Sequence, residues 1–348
     1  PVANGTTNVG DIVIASGATA DLYPGPKIGI DAAPYLVVSD LNGDGVLDIA
    51  VPNISTNDVW VFLGTSTGTF QTEQRFPAGN SPWAIAGADL NGDGIPDLVT
   101  TNSSVDDVSV LLGNGDGTFQ TQQRFPVGDF PYSVMLLDLN GDGFRDIVVA
   151  NQSSNDVSVL LGNGNGTFQA QQRYTVGTRP YWVAVGNLNG DGVPDIVTAN
   201  NGSNDISVLF GNGNGTFQAQ QRFAAGGSPG SVAIADLNGD GFQDIAVANN
   251  FSDDVSVLLG NGNGTFQTQQ LLPVGGSPVS IAIGNINSDG NPDIVVANQS
   301  SNFVSVLLGN GNGTFQPQAS VPVGTAPQFV SVADVNADGF QDLVTSMP

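Results

Sequence analysis

One nine-residue string limits this chain more than any other feature. Asp40-Leu-Asn-Gly-Asp-Gly-Val-Leu-Asp48 recurs with its first position at Asp40, Asp89, Asp138, Asn187, Asp236, Asn285 and Asp334, a constant step of 49 residues. Seven such units nearly fill the 348 residues, so 1–348 reads as one repeat array with no room for a second domain.

Each unit carries four short apolar runs. In one they are Ser231–Ala235, Asp244–Ala248, Val255–Leu259 and a run around Thr265–Gln267. The runs are rich in Val and Ile and bounded by Gly, Asn, Asp and Pro, and no helical period appears, which is strand chemistry. Four strands per unit at this spacing describe a β-propeller blade. First-strand candidates begin near Tyr35, Trp83, Tyr132, Tyr181, Gly230, Val279 and Gln328, which predicts an all-β, seven-bladed β-propeller. The chain opens at a third-strand equivalent, Asp11–Ile14, and ends after a second-strand equivalent, Asp342–Ser346. One blade must therefore join third and fourth strands from the N-terminus to first and second strands from the C-terminus. That closure removes the exposed edges an open array would leave.

Composition narrows the chemistry. There is no Cys and no His, which excludes thiolate zinc sites and the commonest general base. A net charge of -25 with only 7 Lys and Arg argues against nucleic acid and anionic membrane surfaces. No apolar stretch reaches the roughly 20 residues of a membrane-spanning helix, so no membrane insertion is expected. The chain begins at Pro1 rather than Met, which reads as a processed form or a domain cut from a longer protein. Of 32 acidic residues only Glu73 is a glutamate, and short carboxylates are what tight turns and metal loops use.

The repeated string, D-x-N-x-D-G-x-x-D, places side-chain oxygens at positions 1, 3, 5 and 9 and a backbone carbonyl at position 7. The candidate ligand sets are Asp40, Asn42, Asp44, Val46 and Asp48; Asp89, Asn91, Asp93, Ile95 and Asp97; Asp138, Asn140, Asp142, Phe144 and Asp146; Asn187, Asn189, Asp191, Val193 and Asp195; Asp236, Asn238, Asp240, Phe242 and Asp244; Asn285, Asn287, Asp289, Asn291 and Asp293; and Asp334, Asn336, Asp338, Phe340 and Asp342. Calcium is a hard cation that takes 6 to 8 oxygen ligands, so up to seven calcium ions are expected, held more weakly where Asn187 and Asn285 replace Asp. An EF-hand is excluded, because its position 12 is Glu and Val51 stands there in the first loop. Asp/Asn-Gly turns without metal are the plainer alternative, and seven copies at fixed spacing weigh against it.

The loop Asp236-Leu-Asn-Gly-Asp-Gly-Phe-Gln-Asp244 with its flanking strands resembles the FG-GAP/VCBS repeat. That repeat builds the propeller head of integrin α subunits, bacterial surface propellers and integrin-like fungal lectins. The resemblance covers nearly the whole chain. It implies calcium between the first and second strands of each blade and ligand contact on the opposite face.

On that opposite face the repeats differ among themselves. The residue after the Pro that precedes each first strand is aromatic in Tyr35, Trp83, Tyr132 and Tyr181, then Gly230, Val279 and Gln328; Arg179 and Trp182 flank Tyr181. These six, Tyr35, Trp83, Tyr132, Arg179, Tyr181 and Trp182, form a candidate ligand crescent beside the central channel, with packing between blades as the competing reading. Arg75, Arg124, Arg173 and Arg222 recur on the fourth strands, where charge discourages edge pairing. Asn165, Asn214, Asn263 and Asn312 open Asn-Gly-Thr strings that read as turns before they read as glycosylation sites. The functional expectation is a calcium-stabilised, extracellular or cell-surface, monomeric, non-catalytic module that binds glycan, as a lectin or adhesin does. A protein-interaction propeller is the alternative, and a polysaccharide lyase or hydrolase ranks behind both.

Overall fold

The computed structural model describes residues 11–15, 27–29, 35–66, 69–334 and 339–346. They form seven four-stranded antiparallel sheets and, among the described residues, no helix. Six blades use four consecutive strands; Pro180–Gly186, Asp195–Asn200, Asp205–Leu209 and Gln221–Ala224 make one of them. The seventh has the order Lys27–Gly29, Asp11–Ala15, Asp342–Ser346, Phe329–Ala333. The expected closure between the two ends of the chain is therefore present, as is the seven-bladed propeller.

Burial explains the composition of each strand. Every residue of the second strands is buried, from Asp48–Asn53 to Asp293–Asn298, because a neighbouring blade covers each face. Such strands read as near-continuous Val and Ile runs. Five of the third strands carry a buried central Ser: Ser109, Ser158, Ser207, Ser256 and Ser305. In one blade the Asn200 side-chain amide donates to Ser207 Oγ at 2.8 Å, and Ser207 donates to Gln220 Oε1 at 2.6 Å. The Gly177 N–H, from the linker leading into that blade, also donates to Ser207 Oγ, at 3.0 Å. The motif recurs around Ser109, Ser158 and Ser305. A buried hydroxyl is tolerated only when satisfied, and here it ties three strands and the incoming linker together.

Candidate functional site

The mouth of the central channel is built by a locked linker. Before six of the first strands one residue is left-handed: Ser81, Phe130, Arg179, Ser228, Ser277 and Ala326, with φ between 51° and 56°. The N–H of each donates to an Asn or Asp side chain of the preceding blade, as Arg179 does to Asn155 Oδ1 at 2.8 Å. Proline follows, and the register then slips between Pro131 and Ser133, Pro180 and Trp182, Pro229 and Ser231, and Pro278 and Ser280. Such bulges re-aim a side chain, and the bulged residues Tyr132, Tyr181, Gly230 and Val279 all line the mouth.

There they enclose a cup of about 380 Å³. Four successive blades supply an aromatic wall, Tyr35, Trp83, Tyr132 and Tyr181; the other three supply Gly230, Val279 and Gln328. Ser228, Asn201, Asn250 and Gln299 complete the lining, so amides and small residues oppose the rings and, among the described residues, no charged side chain lines the cup. Trp83 and Tyr132 lie 4.9 Å apart, and Tyr132 and Tyr181 4.4 Å. Burial pushes the Tyr35 and Tyr132 phenols well above their usual value, so both remain protonated donors. The Trp83 indole N–H is buried and closes no hydrogen bond of good geometry, although the Tyr35 and Tyr132 hydroxyls lie close by.

The crescent read from sequence is thus brought together, with two changes. Trp182 does not line the cup. It packs 5.2 Å from Tyr35 and 6.4 Å from Phe329 and helps to plug the channel, because the bulge at Tyr181 turns its neighbour inward. Arg179 stands exposed outside the lining, its guanidinium 3.3 Å from the Tyr181 hydroxyl. The polar residues of the cup were not singled out from sequence. Their signal was there: Asn201, Asn250 and Gln299 each follow the Asn that ends a second strand.

The Asp loops occupy the other end of the first strands. Asp40 shows the role of position 1: its carboxylate accepts the N–H groups of Gly43 at 2.7 Å and Gly45 at 2.8 Å. Asn42 Oδ1 accepts from Asp44 N–H, and Asp44 Oδ1 from Val46 N–H. Position 9 behaves differently. Asp48, Asp97, Asp146, Asp195, Asp244 and Asp293 are fully buried. Each accepts one N–H from position 2 of its own loop and one from the Gly 16 residues on, as Asp97 does from Leu90 at 2.8 Å and Gly113 at 2.7 Å. Burial, with the carboxylates at positions 5 and 1 adding to it, raises Asp97, Asp146 and Asp244 to about 6.

Among the described residues no three acidic groups already stand as a metal cage. The donor set is nevertheless all hard oxygen, and it leaves a buried carboxylate facing two others, which a divalent cation would neutralise. Asn336 and Asp338 lie outside the described residues.

A scan against family models matches the FG-GAP-like repeat six times, at residues 40–100, 89–149, 138–198, 187–247, 236–296 and 285–345. The chain belongs to the FG-GAP-like repeat family. A search of curated proteins found no match. Several solved structures share the fold of this FG-GAP-like propeller. A lectin of Agrocybe aegerita, described as recognising non-reducing terminal N-acetylglucosamine, is 21% identical with a TM-score of 0.64, over 97% of this chain and 95% of that one. BBS1N in complex with ARL6DN is 16% identical with a TM-score of 0.64, over 92% and 93%. A virginiamycin B lyase from Staphylococcus aureus is 14% identical with a TM-score of 0.59, over 90% and 94%. A binder, a protein-complex subunit and an enzyme share this backbone, so function must be argued from the site.

Two remaining motifs of the FG-GAP-like chain are structural. Arg124, Arg173 and Arg222 pair with Asp107, Asp156 and Asp205 on the adjacent third strands, while Arg75 stacks 4.2 Å over Trp60 and pairs with Glu73. Asn165 Oδ1 accepts from Thr167 Oγ1 at 2.6 Å and its N–H at 3.1 Å, between left-handed Gly164 and Gly166, which is turn chemistry.

Proposed function

We propose that this protein is a calcium-stabilised, non-catalytic binding module whose ligand is a carbohydrate seated in the cup at the channel mouth. The observation that carries the reading is the division of the cup into an aromatic wall and an amide wall without charge. A sugar ring has an apolar face that stacks on aromatic rings and an edge of hydroxyls that amides can both donate to and accept from. The cup, at about 380 Å³, is of ligand-site size. Among the described residues no carboxylate, Lys or Cys lines it, and its buried tyrosines hold their protons, which supports binding over catalysis. That a lyase shares the backbone elsewhere does not supply a catalytic site here. The lectin likeness supports the same reading at the level of fold.

Calcium would be held by the loop oxygens at positions 1, 3, 5, 7 and 9, where it would fix the turn and offset the carboxylates. Extracellular calcium is millimolar, enough to keep modest sites filled, and we place the protein there. Calcium and ligand act at opposite ends of the first strands, so the metal stabilises the propeller without touching the ligand.

A protein partner is the second reading. Phe251 is 82% exposed beside Asn250 in the turn between second and third strands, and Phe130 is exposed in the linker before a first strand. Surface plasmon resonance against immobilised neutral glycans decides between them: saturable binding weakened by Tyr181→Ala and by Asn250→Ala supports the cup, and binding that only Phe251→Ser weakens moves the site to the protein-docking rim.

A further inference from the structure

Two of the seven loops differ from the others in what the next blade places against them. The loops that begin with Asn187 and Asn285 are each preceded by a Gly, Gly186 and Gly284, and each is followed in the next blade by a Gln at position 8, Gln243 and Gln341. The other blades carry Leu47, Pro96, Arg145, Pro194 and Pro292 at that position. The pairing is spatial. Gln341 Oε1 accepts the N–H of Asn285 from across the blade interface at 2.7 Å. Gln243 lies beside Gly186 in the same way, a Cβ there standing 2.2 Å from its Oε1 and one on Gly284 2.5 Å from Gln341 Oε1, but the buried Gln243 Oε1 closes no hydrogen bond. Glycine at these two positions is what admits the glutamine.

The loops themselves differ to match. In the complete loops the position 1 carboxylate caps the Gly at position 6, as Asp89 caps Gly94 and Asp236 caps Gly241. Asn187 reaches only Gly190, at 3.0 Å, and no such bond reaches Gly192 or Gly290. The Asn285 Oδ1 is buried without a hydrogen-bond partner. Ser288 replaces Gly at position 4 of that loop and takes a left-handed φ of 59°.

We infer that the chain is built for five calcium ions, and that the loops beginning with Asn187 and Asn285 close without metal, the second anchored by Gln341 from the next blade. This rests on the calcium assignment made above. The test is native mass spectrometry of the full chain with saturating calcium. Five bound ions are expected. Asp240→Ala should lower the count to four, while Asp191→Ala and Asp289→Ala should leave it at five. Six or seven ions in the wild type would overturn the inference and leave the calcium assignment standing; none would remove both. A thermal melt of Gln341→Ala gives an independent readout. The expected loss of melting temperature is the same with calcium and with chelator, and a loss seen only with calcium would contradict the anchoring role.

Discussion

Tyr132 and Tyr181 stand ring against ring, 4.4 Å apart at 39°, one repeat from each other in the chain. Equivalent positions in successive blades meet at the axis, so a substitution repeated through several units becomes a surface. The aromatic wall arises this way, and the blades that break the series with Gly230, Val279 and Gln328 provide the opening that the rings face.

If calcium occupies the complete loops, chelation lowers stability. A site at calcium one hundred times its dissociation constant contributes about 2.7 kcal/mol through mass action. Addition of EDTA is expected to lower the melting temperature by several degrees, with recovery on calcium but not on sodium. An unchanged melt, in protein that carries no metal, would remove calcium from the account.

Asp97 is expected to matter even without metal. Its two oxygens close the loop onto Leu90 and the third strand onto Gly113. Asp97→Asn places an amide NH2 against one of those N–H groups and leaves it unsatisfied, at a cost of about 1–3 kcal/mol. A lowered melting temperature in EDTA is the expected result; a melt equal to wild type would mean the clamp contributes nothing.

Gly177 has no room for a side chain. A Cβ there would lie 2.5 Å from Asn200 Nδ2 and 2.6 Å from Ser203 Oγ, inside the polar string that links neighbouring blades. Gly177→Ala is expected to destabilise by about 1–3 kcal/mol through overpacking. The adjacent exposed Thr178→Ala should stay within about 0.5 kcal/mol, and denaturant melts of the two variants compare them directly.

Arg179 holds a φ of 54° that glycine adopts without strain. Because its guanidinium lies outside the cup lining, Arg179→Gly should raise stability by ~1 kcal/mol and leave glycan affinity within a few-fold of wild type. A large loss of affinity would instead place Arg179 in the ligand site.

The blade count, the ring closure and the Asp loops were legible because the repeat prints them at fixed spacing. What escaped were relationships between units. Asp97 reads only as a candidate metal ligand, and nothing in its loop shows that Gly113, 16 residues on, also donates to it. Trp182 reads as a partner of Tyr181 until the bulge separates them. Asn201, Asn250 and Gln299 read as turn residues because nothing local shows that their turns reach the axis. Each depends on pairing between segments that the chain brings together only after the ring has closed.

The most direct test of the central claim is a glycan array probed in millimolar calcium with the wild type and with Tyr181→Ala. The account predicts saturable binding of a neutral glycan by the wild type and a loss of about tenfold or more in the variant, near the upper end of what one aromatic contact contributes. Absence of binding to any glycan, or equal binding by both proteins, would contradict a carbohydrate site at the channel mouth.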